Sequence, residues 1–423
     1  MGDNRPVTEI LDDLQWRGLI QDSTGLDELA KELDSGPVTF YVGFDPTAPS
    51  LHHGNLLQVL TARRLQLAGH KPLLLVGGAT GLIGDPKDSG ERTLNDPEVV
   101  AGWVDRIRRQ VEPFFNFEGT DAARMVNNLD WTGAMSAIEF LRDVGKHFPV
   151  NKMLAREVVK ARLESGISFT EFGYQILQGN DFFELHRRYD CVLQFGGSDQ
   201  WGNIIAGVDY VRRRGAGPVQ AFTTPLVTKA DGSKFGKTEG GALWLDAEMT
   251  SPYAFYQFWF NTDDRDVVPF LKFFSFRTRQ EIEELERQTV EKPFARAAQK
   301  ALAEELTMLL HGEEETRAVI AASQALFGRG ALTDLPPSTL GSALAEAGLT
   351  KVSSLEGVAV LFKESGLATS LGDARRAVAE GGAYVNNERV SDADAPLTRD
   401  TLLHGKYLVL RRGKKTIAGV ELV

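Results

Sequence analysis

A chain of 423 residues, 42% hydrophobic and 25% charged, is too long for one compact core of the usual size and reads as two or three soluble globular domains. The net charge of −11 excludes a uniformly basic nucleic-acid binder but not a local basic surface. The single cysteine, Cys191, excludes an internal disulfide and a cysteine-based zinc site. No run approaches the roughly 20 apolar residues that cross a bilayer. Met1 to Asp13 carries several acids and no apolar core, so no secretory leader is expected, and the cytoplasm is the expected compartment.

Val38 to Phe44 is a β-rich run and predicts a buried strand, broken by Asp45-Pro46-Thr47-Ala48-Pro49-Ser50. From about His52 a helical pattern follows, with Leu56, Leu57, Val59, Leu60, Leu65 and Leu67 apolar around most of its circumference, as for a helix packed on a sheet. Pro72 leads into a second buried strand, Leu73 to Val76, and strand, helix and strand of this length form a βαβ unit of a parallel sheet. Arg124 to Asn127 and Val192 to Phe195 read as further strands. The first half is therefore an open α/β domain, in which ligands bind at the carboxyl ends of strands. After about Trp244 the pattern turns helical, with Gln280 to Val290 and Ala295 to Leu310 as long runs. Gly328 to Gly341 is rich in Gly, Pro, Ser and Thr and reads as a linker. In the final unit, Asp373 to Glu380 reads as a short helix and Ala383 to Val390 as a hairpin turning at Asn386-Asn387.

The residues that could carry chemistry gather at strand ends. Ser50-Leu51-His52-His53-Gly54-Asn55 opens the first helix, where free backbone N–H groups, a positive helix end and imidazole donors can meet a polyphosphate. Two histidines at a helix start can equally be coincidental. Lys234-Phe235-Gly236-Lys237-Thr238 lies in a glycine-rich loop, Ala230 to Gly241, and suits closure over a transferring phosphate group, or else a solvated charged loop. Gly77 to Asp85 holds four glycines in nine residues without the Walker lysine pattern, so a P-loop ATPase is not expected. Tyr174, Gln178 and Asp181 share one face of the helical stretch Phe172 to Leu185, which could line a pocket or face solvent. Gln194 to Gly202 leaves a strand through paired glycines into polar residues. Basic clusters occur at Arg106, Arg108 and Arg109, at Arg212 to Arg214 (read as a helix C-terminus), and at Arg411, Arg412, Lys414 and Lys415.

Taken in order, Tyr41-Val42-Gly43-Phe44-Asp45-Pro46-Thr47-Ala48, Leu51-His52-His53-Gly54, Gly77 to Asp85, Gly196-Gly197-Ser198-Asp199-Gln200-Trp201-Gly202 and Lys234-Phe235-Gly236-Lys237-Thr238 resemble the bacterial-type tyrosyl-tRNA synthetases, a class I family. The resemblance runs from about Phe40 to the final unit. It implies a Rossmann-like catalytic domain with a dimer-forming insertion (1–243), a helical anticodon-binding domain (244–328), a linker (329–349) and a small α+β RNA-binding domain (350–423). It implies a homodimer that activates tyrosine with ATP, accompanied by Mg2+, and transfers it to tRNA(Tyr), with no tightly bound cofactor and no protein-bound metal. Carried over, Tyr41 and Asp181 hold the phenolic hydroxyl, and Asp85, Tyr174 and Gln178 hold the α-ammonium group. Thr47, His52, Asn55, Lys234 and Lys237 serve the phosphate transition state, while Gly43, Asp45, Gly54, Asp199 and Gln200 contact ATP or the adenylate. Arg92 is the pyrophosphate candidate. Arg375, Arg376, Arg411, Arg412, Lys414 and Lys415 are the tRNA-binding candidates. Two departures from the family pattern stand out: Asn55 replaces the second histidine of the HIGH signature, and the loop Asp85 to Arg92 is short, which puts Lys87 in doubt. The rivals are a tryptophanyl-tRNA synthetase and a catalytically silent RNA-binding derivative. Asp181 with Tyr41, and the intact Asp85, Lys234 and Lys237, speak against them.

Overall fold

The computed structural model describes residues 8–87, 90, 93–232, 235–238, 241–413 and 416–423. Contacts divide the chain into two compact units, Met1–Met249 with Val268–Ile282, and Thr250–Val267 with Glu283–Val423. Among the described residues, no helix is long and apolar enough to cross a membrane.

The first unit is built on a six-stranded sheet of β1 (Asp22–Ser23), β2 (Thr39–Phe44), β3 (Lys71–Val76), β4 (Arg124–Asn127), β5 (Cys191–Gly197) and β6 (Gln220–Thr224), in the order β1-β6-β5-β2-β3-β4. All pairings are parallel except that of the edge strand β1 with β6. β2 and β3 are buried along nearly their whole length, which explains why they read as continuous apolar runs rather than alternating ones. The helix His53–Leu67 joins them and buries Leu56, Leu57, Val59, Leu60 and Leu65. Leu67 departs from the apolar circumference inferred from sequence and is exposed, at the last position of the helix.

From β2 the order proceeds outward through β3 and β4 on one side and through β5 and β6 on the other. The boundary between β2 and β5 is thus the topological switch point, and the crevice at their carboxyl ends is where an open α/β sheet accepts a ligand. Helices Phe169–Tyr189 and Trp201–Arg213 flank β5 in sequence. The second helix ends in Arg212 and Arg213, as the sequence suggested. The segment from Ala230 to Gly241, expected outside regular structure, includes the first part of a short ladder between β7 (Lys237–Thr238) and β8 (Gly241–Ala242).

The second unit packs helices Pro252–Phe260, Ala297–Ala325 and Pro337–Ala347 with a five-stranded sheet of β9 (Leu349–Val352), β10 (Ala383–Val385), β11 (Glu388–Arg389), β12 (Tyr407–Arg412) and β13 (Thr416–Leu422), in the order β11-β10-β12-β13-β9. The expected linker departs from open chain: Leu332, Leu335 and Leu340 are buried, and Pro337 opens a helix running to Ala347. Proline at the first helical position costs no hydrogen bond and presets φ, so Pro336-Pro337 starts structure rather than breaking it. The hairpin turns at Asn386 and Asn387, both at positive φ, as an Asn-Asn turn between short antiparallel strands requires. Helix Leu371–Ala379 carries Arg375 and Arg376.

Candidate active site

β2 delivers Tyr41 to the crevice. Its ring lies against Phe182, centroids 5.4 Å apart, in a cluster with Trp131 and Leu75, and its hydroxyl is buried with no hydrogen-bond partner among the described residues. Burial and then the charge of Asp181 push its pKa well above the ordinary value. Asp181, on helix Phe169–Tyr189, is equally deep. Asn128 Nδ2 donates to its Oδ2 at 2.9 Å and Trp131 Nε1 donates to its Oδ1 at 2.8 Å. Burial pushes the Asp181 carboxyl up to about 7, against the pull of those two donors. A hydroxyl without a partner beside a carboxylate oriented by fixed donors is a receptor for one more hydroxyl group.

The same helical face carries the next groups. Tyr174 Oη donates to Asp45 Oδ2 at 2.6 Å, and Thr80 Oγ1 donates to Asp45 Oδ1 at 2.6 Å. Asn128 ties this pair to Asp181, since its Nδ2 also donates to Thr80 Oγ1 at 3.0 Å while its Oδ1 accepts from the Ala79 N–H at 2.7 Å. Gln178 keeps its buried Oε1 without a partner among the described residues. Gly77, at the end of β3, is packed so closely that a β-carbon there would overlap the Asp45 carboxylate and the Thr80 hydroxyl.

Asp85 ends the glycine-rich loop. It accepts from Gln200 Nε2 at 3.0 Å and from Asn203 Nδ2 at 3.2 Å, and Arg156 Nη2 lies 3.9 Å away. Burial raises its pKa, opposed chiefly by the Gln200 hydrogen bond. Gln200, read from sequence on the adenylate side, is thus joined to the carboxylate at the loop end. Asp199 is exposed beside it, and Gly43 and Thr47 are exposed at and just beyond the end of β2.

At the start of helix His53–Leu67, the Gly54 N–H donates to His52 Nδ1 at 3.1 Å and the His52 N–H donates to Asn55 Oδ1 at 3.1 Å, a reciprocal cap. Burial lowers the His52 pKa. The ring is therefore neutral with its proton on Nε2, the nitrogen left to donate. Asn55 keeps its amide N–H2 as a donor after serving the cap. The start of this helix is strapped by backbone to Leu243–Leu245: the His53 N–H donates to Leu243 O at 3.0 Å, the Leu245 N–H donates to Leu51 O at 2.9 Å, and His52 bridges Trp244. Phe235 stands edge-on to His53 at 5.0 Å and packs on Phe270 at 4.5 Å. Gly236, at φ 76°, rests on the His53 ring, where a β-carbon would overlap the imidazole. Lys234 and Arg92 lie outside the described residues, as does the Lys237 side chain.

The basic residues of the second unit are largely engaged. Arg412 donates to both carboxylate oxygens of Asp373, at 2.8 and 2.9 Å, and Arg375 grips Asp394 with its closest contact at 2.9 Å. Arg411 lies 3.9 Å over the Tyr384 ring. Arg376 is exposed, and Lys414 and Lys415 fall outside the described residues.

With this geometry in place, comparison with known proteins is direct. The family profile described as tRNA synthetases class I (W and Y) matches residues 33–328. The chain belongs to that family. A second profile, the tyrosine–tRNA ligase SYY-like C-terminal domain, matches residues 347–419. The tyrosine–tRNA ligase of Streptomyces coelicolor is 63% identical over 419 residues, covering 98% of this chain and 99% of that one. Among solved structures, the C-terminally truncated mitochondrial tyrosyl-tRNA synthetase of Coccidioides posadasii superposes with a TM-score of 0.65 at 33% identity, covering 73% of this chain and 90% of that one. The corresponding Aspergillus nidulans structure gives 0.68 at 32%, covering 75% and 94%.

Asn128, Trp131, Asn203 and Arg156 escaped the sequence reading. Asn128 and Asn203 carried a faint positional signal, one directly after β4 and the other three residues beyond Gln200 in the same polar run. Trp131 and Arg156 carried none, because their roles arise only from tertiary placement.

Proposed function

We propose that this chain activates L-tyrosine with ATP and ligates it to tRNA(Tyr). The observation that carries the choice of amino acid is the buried pair of Tyr41, whose hydroxyl has no partner among the described residues, and Asp181, whose carboxylate is already oriented by Asn128 and Trp131. A phenolic hydroxyl can donate to Asp181 and accept from Tyr41 at once, whereas an indole or a phenyl ring leaves one or both unpaired. The substrate's α-ammonium group then falls to Asp85, Tyr174 and Gln178.

In the first step a tyrosine carboxylate oxygen attacks the α-phosphorus of ATP. The bond to the bridging oxygen of pyrophosphate breaks, and pyrophosphate leaves. Negative charge grows on the α-phosphate oxygens, so positioned donors contribute most of the acceleration. His52 Nε2–H, the Asn55 amide, Thr47 and the lysines Lys234 and Lys237 are assigned to that charge, with Gly43, Asp45, Gly54, Asp199 and Gln200 on the nucleotide and Arg92 toward the pyrophosphate. In the second step a terminal ribose hydroxyl of tRNA attacks the activated carbonyl and AMP departs. Mg2+ enters as part of the ATP substrate. Among the described residues, no three His, Cys, Asp or Glu side chains converge as a cation site.

A homodimer is supported by the insertion between β4 and β5, where Ile138, Leu141, Val150, Leu163 and Phe169 expose large apolar side chains. Arg375, Arg376, Arg411, Arg412, Lys414 and Lys415 are assigned to tRNA, whose phosphates compete with Asp373 and Asp394 for Arg412 and Arg375. The reaction belongs to the cytoplasm, where translation draws on charged tRNA. Tyrosine-dependent ATP–pyrophosphate exchange, followed by charging of tRNA(Tyr), tests the reading. Exchange that is equally strong with phenylalanine or tryptophan would sink it.

A further inference from the structure

The polar stripe of helix Phe169–Tyr189 begins one turn before the residues that line the pocket. Glu171, Tyr174, Gln178 and Asp181 follow at spacings of three, four and three, so they share one face. Glu171 takes no place in the chemistry above. Its side chain is 1% exposed and faces Arg162 Nη2 at 3.2 Å, itself 5% exposed. A guanidinium and a carboxylate so deeply buried are costly to desolvate and persist only where further hydrogen bonds use them.

Arg162 has those bonds. Its Nε and Nη2 donate to Gly166 O at 3.2 and 3.1 Å, and its Nη1 reaches out of the insertion to donate to Lys87 O at 2.8 Å. Lys87 lies two residues beyond Asp85. The segment from Gly84 to Lys87 belongs to no helix or named strand. Its backbone is fixed at one end by the Gly84 N–H donating to Thr80 O at 2.8 Å, and at the other by the Arg162 fork. Gln200 and Asn203 orient the Asp85 carboxylate, while these two anchors set where its main chain stands.

We propose that Arg162, held by Glu171, is a positioning residue of the tyrosine site: it fixes the Gly84–Lys87 backbone so that Asp85 meets the substrate's α-ammonium group. This rests on the assignment of Asp85 to that group. Lys87, in doubt from the sequence, takes part here through its carbonyl.

Equilibrium binding of three ligands separates a positioning role from a general structural one: tyrosine, tyramine (ammonium without carboxylate) and 3-(4-hydroxyphenyl)propionate (carboxylate without ammonium). Arg162→Lys keeps a cation against Glu171 but loses the planar guanidinium that reaches Lys87 O through Nη1 while Nε and Nη2 hold Gly166 O. It should weaken tyrosine and tyramine about tenfold, as for a charge-assisted contact displaced by a fraction of an ångström, and leave the propionate within about twofold. Glu171→Gln provides a second variant that keeps an acceptor for Arg162, and a smaller loss of the same pattern is expected. Equal weakening of all three ligands, or of none, overturns the proposal. Asp85→Asn in the same assay calibrates it. If that variant does not discriminate against the two amines, the assignment of Asp85 fails and the proposal falls with it. If Asp85→Asn discriminates and Arg162→Lys does not, only the role of Arg162 fails.

Discussion

Replacing Tyr41 with phenylalanine should separate binding from stability in opposite directions. The ring packs against Phe182 at 5.4 Å and lies in a buried cluster, and phenylalanine preserves both contacts. What disappears is a buried hydroxyl with no hydrogen-bond partner among the described residues. Removing an unpaired buried polar group does not forfeit the usual ~0.5–1.5 kcal/mol of a hydrogen bond, so the thermal midpoint should hold or rise. Tyrosine, by contrast, loses one neutral hydrogen bond. At ~1.4 kcal/mol per factor of ten, ~0.5–1.5 kcal/mol lowers its kcat/KM by about 2- to 12-fold. Phenylalanine makes no such bond, so the preference for tyrosine over phenylalanine should shrink by the same factor. The larger part of the discrimination should remain with Asp181, the proposed acceptor for the phenol. The assay is pyrophosphate exchange with both amino acids, alongside thermal unfolding. Unchanged discrimination, or a drop of several degrees in the midpoint with unchanged activity, would refute the reasoning.

Gly236→Ala places a β-carbon into the His53 ring at a left-handed φ, and it should lower the rate of adenylate formation about 10- to 100-fold while pre-steady-state titration returns an unchanged tyrosine dissociation constant. His70 is buried, accepts from the Val38 N–H, and has its pKa lowered from 6.5 to about 4. The unfolded chain therefore binds the proton first, and wild type should lose stability relative to His70→Gln by about 1.4 kcal/mol per pH unit as the pH falls from 6.5 toward 4, measured by denaturant unfolding at several pH values. A chain ending at Gly348 keeps helix Pro337–Ala347 whole, which a cut at Gly341 would not. It should retain pyrophosphate exchange and lose at least about tenfold in tRNA charging, and equal losses in both assays would instead indicate a structural role for the tail.

The reach of the sequence can be judged residue by residue. β2 and β3 were readable because both are buried on two faces, and the stripe Tyr174, Gln178, Asp181 because helical spacing is local arithmetic. What holds that stripe was not readable: Asn128 and Trp131 meet Asp181 across about 50 residues of chain, and no periodicity encodes that meeting. The arginines of the second unit were legible as charge, but the partners Asp394 of Arg375 and Asp373 of Arg412 were not, because those pairings arise only in the fold. Pro336-Pro337 misled because proline both ends and begins helices, and only the burial of Leu340 and Leu344 decides between the two.

The strap between Ser50–His53 and Leu243–Asp246 bears on how the protein is made. Ser50 Oγ accepts from the Asp246 N–H, 196 residues later, and the neighbouring pairings of Leu51 and His53 with Leu245 and Leu243 close the same span. A ribosome delivers the chain from its N-terminus, so the helix that begins at His53 waits, finished but unfastened, until the chain has emerged as far as Leu243. Closing so long a loop is entropically unfavourable until the intervening sheet has formed, which makes this strap a late event in assembly. A nascent chain that stops short of Leu243 therefore has β2, β5 and the helix that begins at His53, but lacks the backbone partners that fasten the start of that helix.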